Sequence, residues 1–344
     1  MRCGRAADRL RRGCLAAGAA LLASAAATAS VPEPEFDVWL AGLEAEARER
    51  GVSDATLDAA LSGVAPIPEV IELDRRQPEG PGNFCRYLER RLTPTRVARG
   101  QRVLAEHAPL LREVSETYGV PARYLVALWG LETNFGDYQG EFPVVPALVT
   151  LAHDARRAEF FRGQVFAALR ILDEGHRPVA DFRGSWAGAT GHVQFMPSTF
   201  LEYAVDHDGD GRKDLWSSLP DALASAANYL RRSGWRAGEG WGRPVALPPE
   251  LAEDAARLGS PRPLDEWQLL GVRDLAGGPL PEASLHGRVV LPMRADGPAY
   301  LVYRNYGAFL AWNRSTFFAV SVGTLADALE GRGSLAPCGL HSRS

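Results

Sequence analysis

Cysteine is scarce in this 344-residue chain. There are four in all, and two of them, Cys3 and Cys14, lie in the leader-like first 29 residues. The remaining pair, Cys85 and Cys338, is too small a set for a disulfide scaffold or a four-thiolate metal site. In an oxidising compartment the two could bond to each other, and two unpaired thiols are an equal alternative on the sequence alone. No hydrophobic run is long enough to span a membrane. The longest, "CLAAGAALLASAAATA" (residues 14–29), is shorter than the ~20 residues a span needs. Positive charge is also in deficit. The net charge is −4, and the leader's five arginines and Asp8 account for +4, leaving the rest near −8. An acidic surface argues against a nucleic-acid partner, whose polyanionic backbone rewards a basic one. The histidines (His107, His153, His176, His192, His207, His286 and His341) show no i, i+4 metal pairing and read as structural. Ser-His-Asp order, P-loop, dinucleotide fingerprint and internal repeat are all missing.

What is present begins with a leader. Arg2, Arg5, Arg9, Arg11 and Arg12 precede the apolar run, which ends in small residues suited to signal cleavage after Ala29. Cys14 precedes the apolar run, so no lipoprotein processing site is expected. The expected product starts at Ser30 and is soluble in the bacterial periplasm. Its roughly 315 residues can bury a large core.

Hydrophobic periodicity then predicts a mainly α protein. "FDVWLAGLEAEARERGVSDATLDAALSGV" (residues 36–64) reads as two helices joined at Gly51-Val52, with Ser53 as N-cap of the second. Residues 65–83 read as a Pro-rich extended stretch. Further helices follow, one of them opening at Pro121 and stopping near Gly136. "ALVTLAHDARRAEFFRGQVFAALRILDEG" reads as one long helix of period 3.6. Between Trp241 and Tyr303 the composition turns to Pro, Gly and short strand-like runs ("RPVALP", "GRVVLP", "AYLVY"), which predicts a small β-rich lobe. The expected division is a leader (1–29), an N-terminal helical region (30–100), a catalytic core (101–240), the β-rich lobe (241–303), a closing helical segment of the core (304–330) and a loose tail (331–344).

One residue stands out against this background. "ALWGLETNFG" (residues 127–136) sets Glu132 in an apolar and aromatic run with no neighbouring cation. Apolar surroundings disfavour the carboxylate and raise its pKa, and the negative end of a helix acts in the same direction. A carboxylic acid that stays protonated near neutral pH is what protonation of a glycosidic leaving oxygen requires. The competing reading is a glutamate that reaches solvent at the helix end.

"DHDGDGRKD" (residues 206–214) carries a second chemistry. Asp206, Asp208 and Asp210 occupy positions 1, 3 and 5 of an EF-hand-like loop. Gly211 stands at the sharp turn, Arg212 at the carbonyl position and Asp214 at position 9. Position 12 is Ser217 in place of the bidentate Glu, so weak binding of a structural Ca²⁺, on the order of 10⁻⁴ M, is expected.

"GSWAGATGHVQFMPSTF" (residues 184–200), taken with "ETNFG" before it and "ALASAANYL" after it, resembles the lysozyme-like lytic transglycosylases. "YAVDHDGDGRKDLW" and "YRNYGAFLAWNRSTFFAVSVGTLADAL" narrow the resemblance to the lytic murein transglycosylase B family, over residues 36–329. The resemblance implies a lysozyme-like helical catalytic core and makes Glu132 the single acid/base. It implies that Arg156 and Arg157 line the glycan or peptide site, and that Ser185 and Gln194 lie beside the acid and the sugar N-acetyl group. Trp312 and Asn313 match an aromatic–Asn pair at the cleft; Trp312 and Phe318 lack hydroxyls found in some relatives. Asp221 matches a compensating calcium ligand, offset by one residue. Sugar clefts favour aromatic platforms, and Trp186, Phe195, Tyr203, Trp241 and Trp312 are the candidates.

The implied partner is the peptidoglycan glycan strand, the only implied cofactor is Ca²⁺, and a monomer without a transmembrane anchor is expected. The implied reaction cuts the β-1,4 bond between N-acetylmuramic acid and N-acetylglucosamine and leaves 1,6-anhydro ends. A hydrolytic muramidase would need a second carboxylate, such as Asp137, Glu141 or Asp181. A silent murein-binding protein would have no use for a buried acid. No appended glycan-binding module is expected after Leu329.

Overall fold

The computed structural model describes residues 35–76, 82–295, 297–332 and Cys338. The leader, with Cys14 and the expected cleavage site, lies outside these residues, as does His341. In chain order the helices of the first half are α1 (Phe36–Glu49), α2 (Asp54–Leu61), α3 (Pro68–Arg75), α4 (Phe84–Arg91), α5 (Pro94–Glu106), α6 (Ala108–Tyr118) and α7 (Ala122–Thr133). Strand β1 (Phe142–Pro143) leads into α8 (Val144–His153), α9 (Ala158–Asp173), β2 (Arg183–Gly184), α10 (Pro197–Tyr203) and α11 (Leu219–Arg232). The lobe holds β3 (Gly242–Val245), α12 (Pro249–Ala252), α13 (Ala255–Leu258), β4 (Arg262–Pro263), α14 (Leu264–Leu269), β5 (His286–Val290), β6 (Pro292–Ala295) and β7 (Ala299–Val302). Helices α15 (Tyr306–Trp312) and α16 (Thr316–Leu329) close the chain.

Local chemistry explains most of these boundaries. Ser53 accepts a hydrogen bond from the Thr56 amide and caps α2, while Asn83, Thr93, Ser218 and Ser315 cap α4, α5, α11 and α16 in the same way. Two expectations fail. The Pro-rich stretch is not extended throughout, because Pro68 opens α3 at its first turn, where a missing N–H costs nothing. The single long helix is broken: α8 ends at His153, and Asp154 takes an extended conformation (ψ 122°) and accepts a bond from the Arg156 amide, starting a separate 3₁₀ turn, Ala155–Arg157, before α9. The 3.6-residue period runs on through this break because α8 and α9 bury apolar faces in the same core.

That main core draws buried residues from Leu43 to Leu329, passing over most of the lobe, so the N-terminal helices share it with the later ones. At its centre lies α7, whose Tyr124–Leu131 segment is wholly buried. A second, smaller core belongs to the lobe, where Val245, Leu251, Leu264, Trp267, Val289 and Leu301 pack together. Its antiparallel sheet has the order β3-β7-β5-β4, with Val245 opposite Ala299 and Val290 opposite Tyr300. Among the described residues no helix is long and apolar enough to cross a membrane.

Candidate active site

Helix α7 ends where it must to free Glu132. Asn134 (φ 52°) and Phe135 (φ 61°) both enter the left-handed region, and Phe135 folds back under the helix. The reversal needs Gly130, since a β-carbon there would meet the Phe135 ring at 2.6 Å. Glu132 therefore sits in the last turn, its side chain half-buried. Its Oε1 accepts a hydrogen bond of 2.8 Å from Trp312 Nε1. Burial pushes its pKa up to about 7, and the Trp312 bond and the nearby Arg91 charge offset only part of that rise.

Arg91 and Tyr87, one turn apart on α4, complete the surroundings of the acid, and neither was singled out in the sequence. Arg91 Nη1 donates to the Leu131 carbonyl at 3.0 Å, one residue from Glu132, and its guanidinium lies 5.5 Å from the Tyr87 ring centre. The Tyr87 hydroxyl pKa is raised by burial and, to a lesser degree, by the Glu132 charge. Only their i, i+4 spacing could have hinted at a shared face.

Trp312 links the acid to the Gly-rich turn. Its indole packs on Phe195 (5.3 Å between ring centres) and on Tyr229 (5.0 Å), whose hydroxyl donates to the Ala311 carbonyl at 2.6 Å. Gln194, next to Phe195, adopts φ 51° and donates from Nε2 to the carbonyls of Gln139 and Gly191, each at 3.0 Å. It thereby ties the Gly-rich turn to the loop that follows α7. Gly140 lets that loop pass close by, since a β-carbon there would fall 1.9 Å from the Gly184 carbonyl carbon. Ser185 is half-buried, and its hydroxyl accepts from the Ala189 amide at 3.0 Å. Glu132, Trp312 and the Gln194 turn thus form one connected site.

Other expected residues are placed differently. Arg156 and Arg157 pair with Asp74 of α3, which is 4% exposed; Arg156 Nη1 lies 3.4 Å from one carboxylate oxygen and Arg157 Nη2 binds the other. The pair thus neutralises a buried carboxylate. Asn313 is exposed and caps the Ser315 amide at 3.0 Å. Phe318 belongs to the main core at 5% exposure, which leaves it no face for a sugar. Trp241 is likewise no platform: it is buried, and its Nε1 donates to Asp327 at 2.9 Å. Trp186 and Tyr203 are half-buried, and Tyr203 meets Tyr229 at 4.5 Å, so Tyr229 joins an aromatic wall that the sequence reading omitted. Asp137 is held by two contacts from Arg99 and by Asn134 Nδ2 at 2.7 Å, and Arg99 keeps its pKa low. Glu141 and Asp181 are exposed.

In the acidic loop, carboxylate oxygens of Asp206, Asp208 and Asp210 lie within 4.8 Å of one another, close enough for one ion. Asp206 accepts from the amides of Gly209 (2.8 Å) and Gly211 (2.9 Å), which curls the loop round that cluster. Asp214 caps the amides of Trp216 and Ser217. Asp221 stands apart from the cluster. It is fully buried, with Oδ1 accepting from the His207 amide at 2.7 Å and Oδ2 from the Asp214 amide at 2.8 Å, so it holds the loop from behind.

The sequence matches the transglycosylase SLT domain family over residues 35–327. The chain belongs to that family. It is 37% identical over 166 residues to the membrane-bound lytic murein transglycosylase B of Escherichia coli (strain K12). That match covers 48% of this chain and 46% of the relative, so the chain aligns with about half the length of this curated relative. Among solved structures, Pseudomonas aeruginosa SltB3 in complex with NAG-anhNAM-pentapeptide is 46% identical, with a TM-score of 0.83 over 87% of this chain and 80% of that one. The Escherichia coli lytic transglycosylase Slt35 in complex with calcium is 28% identical, with a TM-score of 0.71 over 85% and 92%. The mainly α, lysozyme-like architecture expected from the sequence is the one these structures share.

Proposed function

We propose that the chain is a peptidoglycan lytic transglycosylase in which Glu132 acts first as acid and then as base. One observation carries the reading: a single carboxyl with a pKa of about 7, held at Oε1 by an indole N–H and half-buried at the end of an apolar helix. At neutral pH a large fraction is protonated and able to donate to the oxygen between N-acetylmuramic acid and N-acetylglucosamine. As the C1–O bond breaks, the sugar's own N-acetyl oxygen stabilises C1 in place of a second carboxylate. The Glu132 carboxylate then takes the proton of the C6 hydroxyl, O6 bonds to C1, and the acid is regenerated with no water consumed. Intramolecular attack is favoured by its high effective molarity. The relative crystallised with NAG-anhNAM-pentapeptide supports this product class. In this reading Ser185 and Gln194 hold the N-acetyl side of the cleft, Trp312 and Asn313 flank the acid, and Arg156 and Arg157 shape the rim through Asp74. The muramidase alternative is disfavoured because Arg99 occupies Asp137, the carboxylate nearest to Glu132 in sequence.

The acidic loop fits a hard cation. Asp206, Asp208 and Asp210 would hold Ca²⁺ with the Arg212 carbonyl, Asp214 would shape the loop, and the ion would neutralise clustered carboxylates without entering the reaction. The leader supports export to the periplasm, and the lobe's separate core supports treating residues 241–303 as a unit.

The deciding experiment is digestion of purified sacculi followed by borohydride. Anhydro-muramoyl ends resist reduction and weigh one water less than hydrolytic ends. Predominantly reducible ends would replace this reading with the muramidase, and binding without cleavage would replace it with the murein-binding protein.

A further inference from the structure

Helix α4 and its continuation form a basic island in an acidic protein. Residues 85–102, "CRYLERRLTPTRVARGQR", hold six arginines and one carboxylate, Glu89, in a chain of net charge −4. Three of these arginines, Arg86, Arg90 and Arg91, line an open groove of about 390 Å³ together with Asn83 and Tyr87. Among the described residues no acidic side chain lines it. Arg86 and Arg90 are exposed, and among the described residues neither enters an ion pair. One lining residue also reaches the helix that carries the acid. Arg91 is bonded to the Leu131 carbonyl in the last turn of α7, while Tyr87 packs edge-on against Phe317 of α16 at 5.6 Å.

We propose that this arginine groove is a subsite for the carboxylates of the peptide stem carried by the muramoyl sugar, and that it sets a preference for stem-bearing over stem-free glycan. The inference rests on the transglycosylase reading above. A muramoyl sugar whose leaving oxygen faces Glu132 projects its lactyl arm away from the scissile bond, and the stem on that arm bears several carboxylates. Arginine suits such groups because its planar fork can donate two parallel N–H bonds to a carboxylate. Arg86 and Arg90 keep their heads in water, which makes the subsite an electrostatic one with a modest effect per contact and a marked dependence on salt.

The test compares two soluble substrates: glycan strands with intact stems, and the same strands after hydrolysis of the lactyl–peptide amide. Replacing both exposed arginines (Arg86→Gln with Arg90→Gln) should raise KM for stem-bearing strands about five-fold, as expected for two exposed charge contacts, and change KM for stripped strands less than about two-fold. Arg86→Lys with Arg90→Lys should recover most of the loss because it keeps the charge. Equal changes on the two substrates, or none on either, would overturn the inference while leaving the activity in place. Failure of the wild-type protein to form anhydro ends on either substrate would instead sink the transglycosylase reading. In that event, affinities measured with Glu132→Gln protein decide the groove: the same five-fold loss confined to stem-bearing strands supports it, and equal affinities overturn it.

Discussion

At the scale of single residues, Glu132 is informative because its protonation state is set by competing surroundings that can be changed one at a time. Replacing it with Gln keeps volume and hydrogen bonding but removes the transferable proton. General acid–base groups contribute about 10²–10⁴-fold, so Glu132→Gln should fold and bind glycan yet lose at least about 99% of turnover. The same variant tests linkage. A carboxyl whose pKa rises from 4.5 to about 7 on folding stabilises the protein fully below the lower value, and this contribution is lost as pH rises through the upper one. Wild-type protein should therefore lose melting temperature relative to Glu132→Gln between those limits, and parallel melting curves across that range would refute the raised pKa. Trp312→Phe gives a complementary test. Its indole N–H favours the carboxylate, so removing it should raise the Glu132 pKa further and move the alkaline limb of kcat/KM to higher pH. An unmoved limb would mean that the bond orients the acid without tuning it.

Among the elements, the acidic loop is a segment whose shape depends on charges it contains. Asp206, Asp208 and Asp210 repel one another unless a cation or the loop's own amides offset them, and the amides do so only in part. Saturating Ca²⁺ should raise the melting temperature by linkage, with a free-energy gain of RT ln(1 + [L]/Kd). Asp206→Asn should abolish that gain without lowering turnover at a temperature where both proteins are folded. If calcium leaves wild-type melting unchanged, the loop is held by its Asx turns and Asp221 alone.

The same scale shows what was legible in the sequence. Ser53 and the apolar run around Glu132 could be read because caps and periodicity are local. The interruption between α8 and α9 could not, because the apolar period is the same on both sides and the Arg156–Arg157 pair that follows it is fixed by Asp74, about eighty residues away in sequence. Tyr87 and Arg91 were missed for a similar reason. They meet Glu132 across two helices separated by some forty residues, and nothing in α4 itself marks them.

For the whole molecule, the main question is what keeps a core assembled from both ends of the chain in register. The first helix and the last share that core, and α4, which supplies Tyr87 and Arg91 to the acid, packs against α16 near the other end. The tail that read as loose is anchored there. Cys85 of α4 and Cys338 form a disulfide with a Cα–Cα distance of 5.7 Å, closing a loop across 253 positions, and Cys338 packs on the main core. So long a loop lies near the upper end of the chain-entropy scale, about 5 kcal/mol, while disulfides typically contribute about 2–4 kcal/mol. Cys85→Ser should therefore melt several degrees lower than wild type, and reductant should lower the wild type to the same point without affecting the variant. Because the bond fixes the N-terminal turn of α4, the variant's remaining activity at low temperature should also fall more steeply with warming than its global unfolding explains. Identical melting of oxidised, reduced and Cys85→Ser protein would mean that the core alone sets the register and that the disulfide serves only to hold the tail.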